Sequence, residues 1–172
     1  FASYTELHDM HFELTAPIDA SETEFWDWSD DNGDGNLFND PNDATDAGEN
    51  WGWRPIPEFT GVFDGNFYGI KHLDISPSGT DWEENMHYAM FEELDGEALV
   101  KRLDLIDINV RVTGNGSNIY YVASMAGNME GGQIRESRVT GLIFGEDEVG
   151  GIVGKLNSNA SIGSVTNNAI VR

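Results

Sequence analysis

The sequence predicts an all-β chain: a right-handed β-helix-like (solenoid) stack behind an N-terminal loop-rich cap. Three observations carry that expectation. First, from about residue 89 onward three stretches share one layout: a strand of small residues or glycines, a turn, then Ile or Val opening a second short strand. They are 88–94 with 99–110, 122–129 with 134–141, and 149–156 with 162–171. Second, Gly127 and Gly154 lie 27 residues apart, and the next isoleucine follows seven residues after the first (Ile134) and eight after the second (Ile162). That period is too long for a coiled coil, and the apolar residues lack helical spacing. Third, each unit holds only two or three short strands, too few to bury an apolar face alone. Stacked on its neighbour, each completes a shared core, and Gly or Ala lets adjacent turns approach closely.

Taken in order, residues 11–19 alternate apolar and polar side chains and read as a strand. Residues 20–50 are dense in Asp, Asn, Gly and Glu and form a long loop, which in a compact domain needs something to hold it. Two tryptophan pairs flank it, Trp26 with Trp28 and Trp51 with Trp53; spacing of two puts both rings of a pair on one face of an extended chain. Residues 59–75 read as a hairpin turning at Asp64-Gly65. Residues 81–97 are ambiguous between strand and a helical turn. The organisation expected is an acidic, Trp-rich cap over 1–58 and a β-repeat region over 59–172, in one continuous domain. Phe1 is not an initiator Met and the pattern is still regular at Arg172, so both ends are expected to be cut from a longer precursor. The last coil, 162–171, would then be open, and its unpaired edge invites self-association.

Composition narrows the setting. The 172 residues are 39% hydrophobic and 11% aromatic, enough for a real core and against disorder throughout. Nine basic against 31 acidic residues leave a net charge of −22, and residues 1–60 hold 15 of the carboxylates with one basic residue, Arg54. Such a surface repels nucleic acid and anionic lipid and favours divalent cations and a saline medium. Without cysteine there is no disulfide framework, and no apolar run is long enough to insert into a membrane.

The runs Trp53-Arg-Pro-Ile-Pro, Phe59-Thr-Gly-Val-Phe-Asp-Gly-Asn and Ile70-Lys-His-Leu-Asp-Ile resemble the opening segment of GLUG-repeat proteins, and Gly151-Ile-Val-Gly154 resembles the glycine-bracketed motif that names them. The resemblance covers roughly residues 11–172. The chain departs from the pattern where Ala89-Met-Phe-Glu92 and Ser124-Met-Ala-Gly127 lack glycines, where Phe67 replaces a usual glycine, and where 27–50 looks inserted. It implies a β-helix-like architecture in secreted or surface-anchored bacterial and archaeal proteins, adhesins among them. It implies no catalytic residues.

Among candidate sites the sharpest is a calcium loop at Asp30, Asn32, Asp34, Asn36 and Asp40. Oxygen donors at positions 1, 3 and 5 with Gly35 at 6 match the front half of an EF-hand loop. Pro41 stands where the closing Glu belongs, so Asp40 or Asp43 would complete the shell. Trp26, Trp28, Trp51 and Trp53 suit either a sugar-stacking platform or, more in keeping with such residues, anchors fixing a loop over the end of the stack. Carboxylate pairs such as Glu92/Glu93 and Asp104/Asp107 are too numerous in so acidic a chain to single out a glycosidase dyad. His8 and His11 are expected on the surface, and Asn115 and Asn159 match glycosylation acceptors. The function expected is therefore a non-catalytic structural or adhesive segment of a secreted or cell-surface protein, rigidified by calcium, whose partners are itself or surface glycans and proteins. The alternatives are a carbohydrate-binding module and a polysaccharide-cleaving enzyme.

Overall fold

A computed structural model describes residues 8–26, 51–77, 87–113, 121–146 and 148–172. Within them the chain makes five passes of short strands. The first holds β1 (His11–Glu13) and β2 (Ile18–Asp19), then a 3-10 turn at Ser21–Phe25. The second holds β3 (Ile56–Phe59), β4 (Val62–Asp64), β5 (Gly69–Lys71) and β6 (Asp74–Ile75). The third holds β7 (Phe91–Leu94), β8 (Leu99–Lys101) and β9 (Asp104–Arg111). The fourth holds β10 (Tyr121–Val122), β11 (Ala126–Met129), β12 (Gln133–Arg135) and β13 (Arg138–Phe144). The fifth holds β14 (Glu148–Val149), β15 (Val153–Leu156), β16 (Ser161–Gly163), β17 (Thr166–Asn167) and β18 (Ile170–Val171).

The fold is all-β, and these strands pair in parallel, each with its counterpart in the neighbouring pass. One sheet runs β3, β7, β11, β15; a second runs β1, β4, β8, β12, β16; a third gathers β2, β5 and β6, β9, β13, and finally β17 and β18. A small fourth sheet joins β10 to β14. Parallel neighbours need a long crossover; here the remainder of each pass supplies it.

Register sets like on like. Phe12, Phe63, Val100, Ile134 and Ile162 face one another in sequence along the second sheet. Phe59, Leu94, Met129 and Leu156 do the same in the first, and Ile75, Val110, Ile143 and Val171 in the third. The middle members are fully buried, and each contributes roughly 1.5–3 kcal/mol by leaving water. Because the strand period is two, a one-residue slip would turn every ladder outward. The register is thereby fixed.

Glycine matters where passes touch. Gly127 and Gly154 fall opposite each other, as the sequence spacing anticipates, and a Cβ on Gly127 would meet the His87 Cβ at 2.3 Å. Gly141 sits at φ +133°, with the Ile108 carbonyl oxygen 2.1 Å from where its Cβ would be.

Several expectations are corrected. Residues 59–75 are not a hairpin: β4 and β5 lie in different sheets and each pairs in parallel with the passes before and after. The reason is local. Asn66 and Phe67 both take left-handed φ (51° and 63°), which turns a corner into the next sheet instead of folding back. Regular pairing also begins before residue 89, since Ile56 opposes Phe91 and Ile18 opposes Ile70. The 27-residue spacing holds only between the last two passes; Ile56, Phe91 and Ala126 are successive partners 35 apart. Residues 91–94 are strand, not helix. His8 is buried rather than on the surface, its carbonyl accepting the Thr60 and Gly61 N–H groups.

Leu105→Ala should lower unfolding free energy by about 2–5 kcal/mol, since it removes a fully buried ladder member between Ile70 and Val139. Urea denaturation followed by circular dichroism measures this; a cost no larger than that of an exposed Leu156→Ala would refute the register.

Candidate functional site

Two places gather chemistry. The first is the N-terminal end of the core. The 3-10 turn at Ser21–Phe25 ends where the Trp26 N–H returns to the Thr23 carbonyl, and the Thr23 hydroxyl donates to Ala20 O at 2.6 Å. The N–H groups of Trp51 and Gly52 both donate to the Trp26 carbonyl, at 2.9 and 3.0 Å. The residues on either side of the acidic segment are thus tied together. Trp26 stacks on Trp53 with ring centroids 5.9 Å apart and planes 28° from parallel, while the Trp53 indole N–H donates to Met90 O at 3.0 Å. Under these rings lies a cavity of about 360 Å³ whose walls include Phe12, Ile18, Phe63, Ile70 and Leu73, with Glu13, Asp19 and Glu22 also lining it. Asp19 bonds His72 Nδ1 at 3.1 Å, and that bond, helped by the Ser21 N–H, holds its carboxyl below the usual carboxylate range.

So the structure brings Trp26, Trp51 and Trp53 together at one end of the core. Trp28 lies outside the described residues. So do the calcium-loop candidates Asp30, Asn32, Asp34, Asn36 and Asp40.

The second place was not singled out by sequence reasoning. Asp64, at the end of β4, is 1% exposed. Its Oδ1 accepts from Arg102 Nε at 2.9 Å and from the Asn66 N–H at 2.9 Å; its Oδ2 faces Arg102 Nη2, and Lys101 Nζ lies 3.1 Å away. Lys101 is its register partner in the next pass and Glu13 its partner in the previous one. The Arg102 guanidinium keeps the Asp64 carboxyl well below its ordinary range, overriding the opposing effect of burial, and Asp64 in turn raises Arg102. His11, Glu13 and Asp64 place three ligand atoms within 4.8 Å of one another. Asp64 is already saturated by two cations, however, so the set is a poor metal site and a good inter-pass tie. The signal that could have found it is the pair of cations, Lys101-Arg102, one pass below a lone Asp in an otherwise apolar strand.

Other carboxylates are spent in the same way. Asp104 pairs with Arg138 of the next pass at 2.5 Å, and Glu93 accepts the Asn128 amide at 2.8 Å. No nucleophile with an adjacent base stands among these groups.

Over 155 residues, 90% of its length, the chain is 34% identical to Halomucin of Haloquadratum walsbyi. That stretch is 1% of Halomucin, so the chain spans a very small part of the relative it resembles. No family model matches the chain, and the GLUG likeness rests on the residues that suggested it. No solved structure matches it.

Asp64→Asn should destabilise by about 2–3 kcal/mol, the worth of hydrogen bonds to charged groups, leaving Lys101 and Arg102 without their counter-charge. The sign with pH follows from the depressed folded pKa: Asp64 stabilises fully above the unfolded value of 3.8 and progressively less as pH falls below it. Thermal melts from pH 7 to pH 2 should therefore show wild type and variant converging in acid; parallel curves would refute this assignment.

Proposed function

We propose that the chain is a non-catalytic structural segment of a secreted or cell-surface protein, folded as a right-handed β-helix whose acidic N-terminal region is a calcium-ordered cap. The observation that carries this reading is the in-register ladder system, in which the same kind of side chain recurs at the same place over successive parallel passes. Right-handedness follows from the general preference of parallel crossovers. Regular ladders that consume their own polar groups in ties between passes make a rod; they leave no constellation for chemistry. Similarity to Halomucin over nine-tenths of the chain supports a place at the cell surface of an organism living in brine.

The cap reading is supported by the Trp26–Trp53 stack over the core end and by the backbone tie between Trp51 and Trp26. Calcium on Asp30, Asn32, Asp34, Asn36 and Asp40 would offset part of a −22 charge that opposes compaction. A carbohydrate-binding module is the second reading, favoured by the cavity beneath Trp26 and Trp53. It is weaker because the Trp53 N–H is spent on Met90 O and the walls are mostly apolar, which leaves few groups for sugar hydroxyls.

Membrane-impermeant biotinylation of intact producing cells should label the protein, whereas labelling only after lysis would overturn the surface assignment. Chelation should lower the melting temperature of wild type and not of Asp30→Asn/Asp34→Asn; equal shifts in both would remove calcium from this loop. Raising NaCl from about 0.1 M to about 1 M should raise the melting temperature by screening carboxylate repulsion, and a fall would contradict it.

A further inference from the structure

All 31 carboxylates lie within the first 148 residues; residues 149–172 contain none, and carry Lys155 and Arg172 as their only charges. Those residues form most of the fifth pass, β15 to β18. Lys155 is committed to the preceding pass, with Nζ 3.7 Å from Glu130 and 5.3 Å from the Tyr121 ring. The outer side of this pass is therefore a nearly uncharged face on a strongly anionic body.

That face also ends the ladders. Leu156 is 50% exposed, Ile162 39% and Ile170 56%, whereas Met129 and Ile134, one pass inside, are fully covered. Among the described residues, β15, β16 and β17 are the last strands of their sheets, so one edge of each has no strand beside it. Solvent-facing edges are ordinarily guarded by charge, proline or a bulge. Here β15 carries one lysine, already engaged, and β16 to β18 carry no charge and no proline.

We infer that this neutral face is a self-association surface, on which a second copy of the chain docks fifth pass to fifth pass about a two-fold axis. Two arguments choose this occupant. Between two copies of net charge −22, carboxylate repulsion is least where carboxylates are missing from both sides, and only fifth-pass-to-fifth-pass contact satisfies that. A head-to-tail arrangement would instead seat the face on the N-terminal end, which is covered by the Ser21–Phe25 turn with Glu22 and Glu24 and by the Trp26–Trp53 stack. A two-fold contact is self-complementary: identical strand edges meet antiparallel, and Leu156, Ile162 and Ile170 of each copy are covered by the other. The inference rests on the ladder architecture proposed above.

Sedimentation equilibrium of the 172-residue chain in concentrated NaCl should give twice the monomer mass of 19.0 kDa, with association strengthening as salt rises. Because the chain has no cysteine, one introduced thiol reports contact directly. Ser161→Cys, in β16, should form a disulfide-linked dimer under mild oxidation, while Glu24→Cys, at the opposite end, should not. Ile170→Asp should yield a monomer whose circular dichroism matches wild type, and Met10→Asp should leave the dimer intact. A wild-type monomer at all salt concentrations, open-ended polymers, or equal cross-linking of both thiols would overturn the docking mode. A native far-ultraviolet spectrum and a full Leu105→Ala penalty in that monomer would leave the ladder architecture standing; their loss would take it away as well.

Discussion

Everything in this molecule depends on one constraint: an apolar side chain in a given pass is sheltered from water by its counterparts in the passes before and after. No pass has a core of its own. Val100 is buried because Phe63 and Ile134 lie on either side of it in register, and the same holds for Leu94 between Phe59 and Met129. Stability is thus a sum of nearest-neighbour terms along one direction. The outermost pass at the C-terminal end is the poorest in such terms, and its burial shows it: every residue of β16, β17 and β18 is exposed.

Charge is laid over this frame in a way that does not disturb it. Carboxylates sit outside the ladders, and those close to them are answered from the adjacent pass: Asp64 by Lys101 and Arg102, Asp104 by Arg138, Glu93 by the amide of Asn128. Each answer lies about one pass away in sequence, so these bonds tie consecutive passes to one another and add to what the ladders do. Scarce cations are not scattered; Lys101, Arg102, Arg138 and Lys155 each meet a carboxylate of the preceding pass.

Much of the fold was legible in the sequence. Gly127 with Gly154 and Ile134 with Ile162 do face one another, because near-identical spacing is what register requires. The second pass was misread because Asp64-Gly65 has the composition of a tight turn, and composition does not distinguish reversing the chain from turning a corner. The corners themselves were invisible. Arg102, Glu136 and Ser164 all take left-handed φ near 50–56° at one corner, a conformation sequence reasoning reserves for Gly or Asn. What holds them there is tertiary: the Arg102 N–H donates to Arg135 O, and the Glu136 N–H to Gly163 O, in the pass beyond. Asp64 escaped notice for the same reason, since its partners become neighbours only once the passes are in register. Of the tryptophans, the sequence suggested grouping, and Trp26, Trp51 and Trp53 are grouped; which of them touch was settled by the 3-10 turn.

The spacing of ladder members has a consequence of its own. From Ile56 to Ile75 is 19 residues, from Phe91 to Val110 also 19, from Ala126 to Ile143 17, and from Val153 to Val171 18. The intervals that lead from the third sheet back to the first are far less uniform, at 16 residues from Ile75 to Phe91, 16 from Val110 to Ala126 and 10 from Ile143 to Val153. Nearly all the freedom to gain or lose residues is therefore confined to a single seam running down one side of the molecule. Sequence there can diverge, lengthen or acquire new surface chemistry without cost to the interior, whereas an indel of one residue anywhere else would unseat all that lies beyond it.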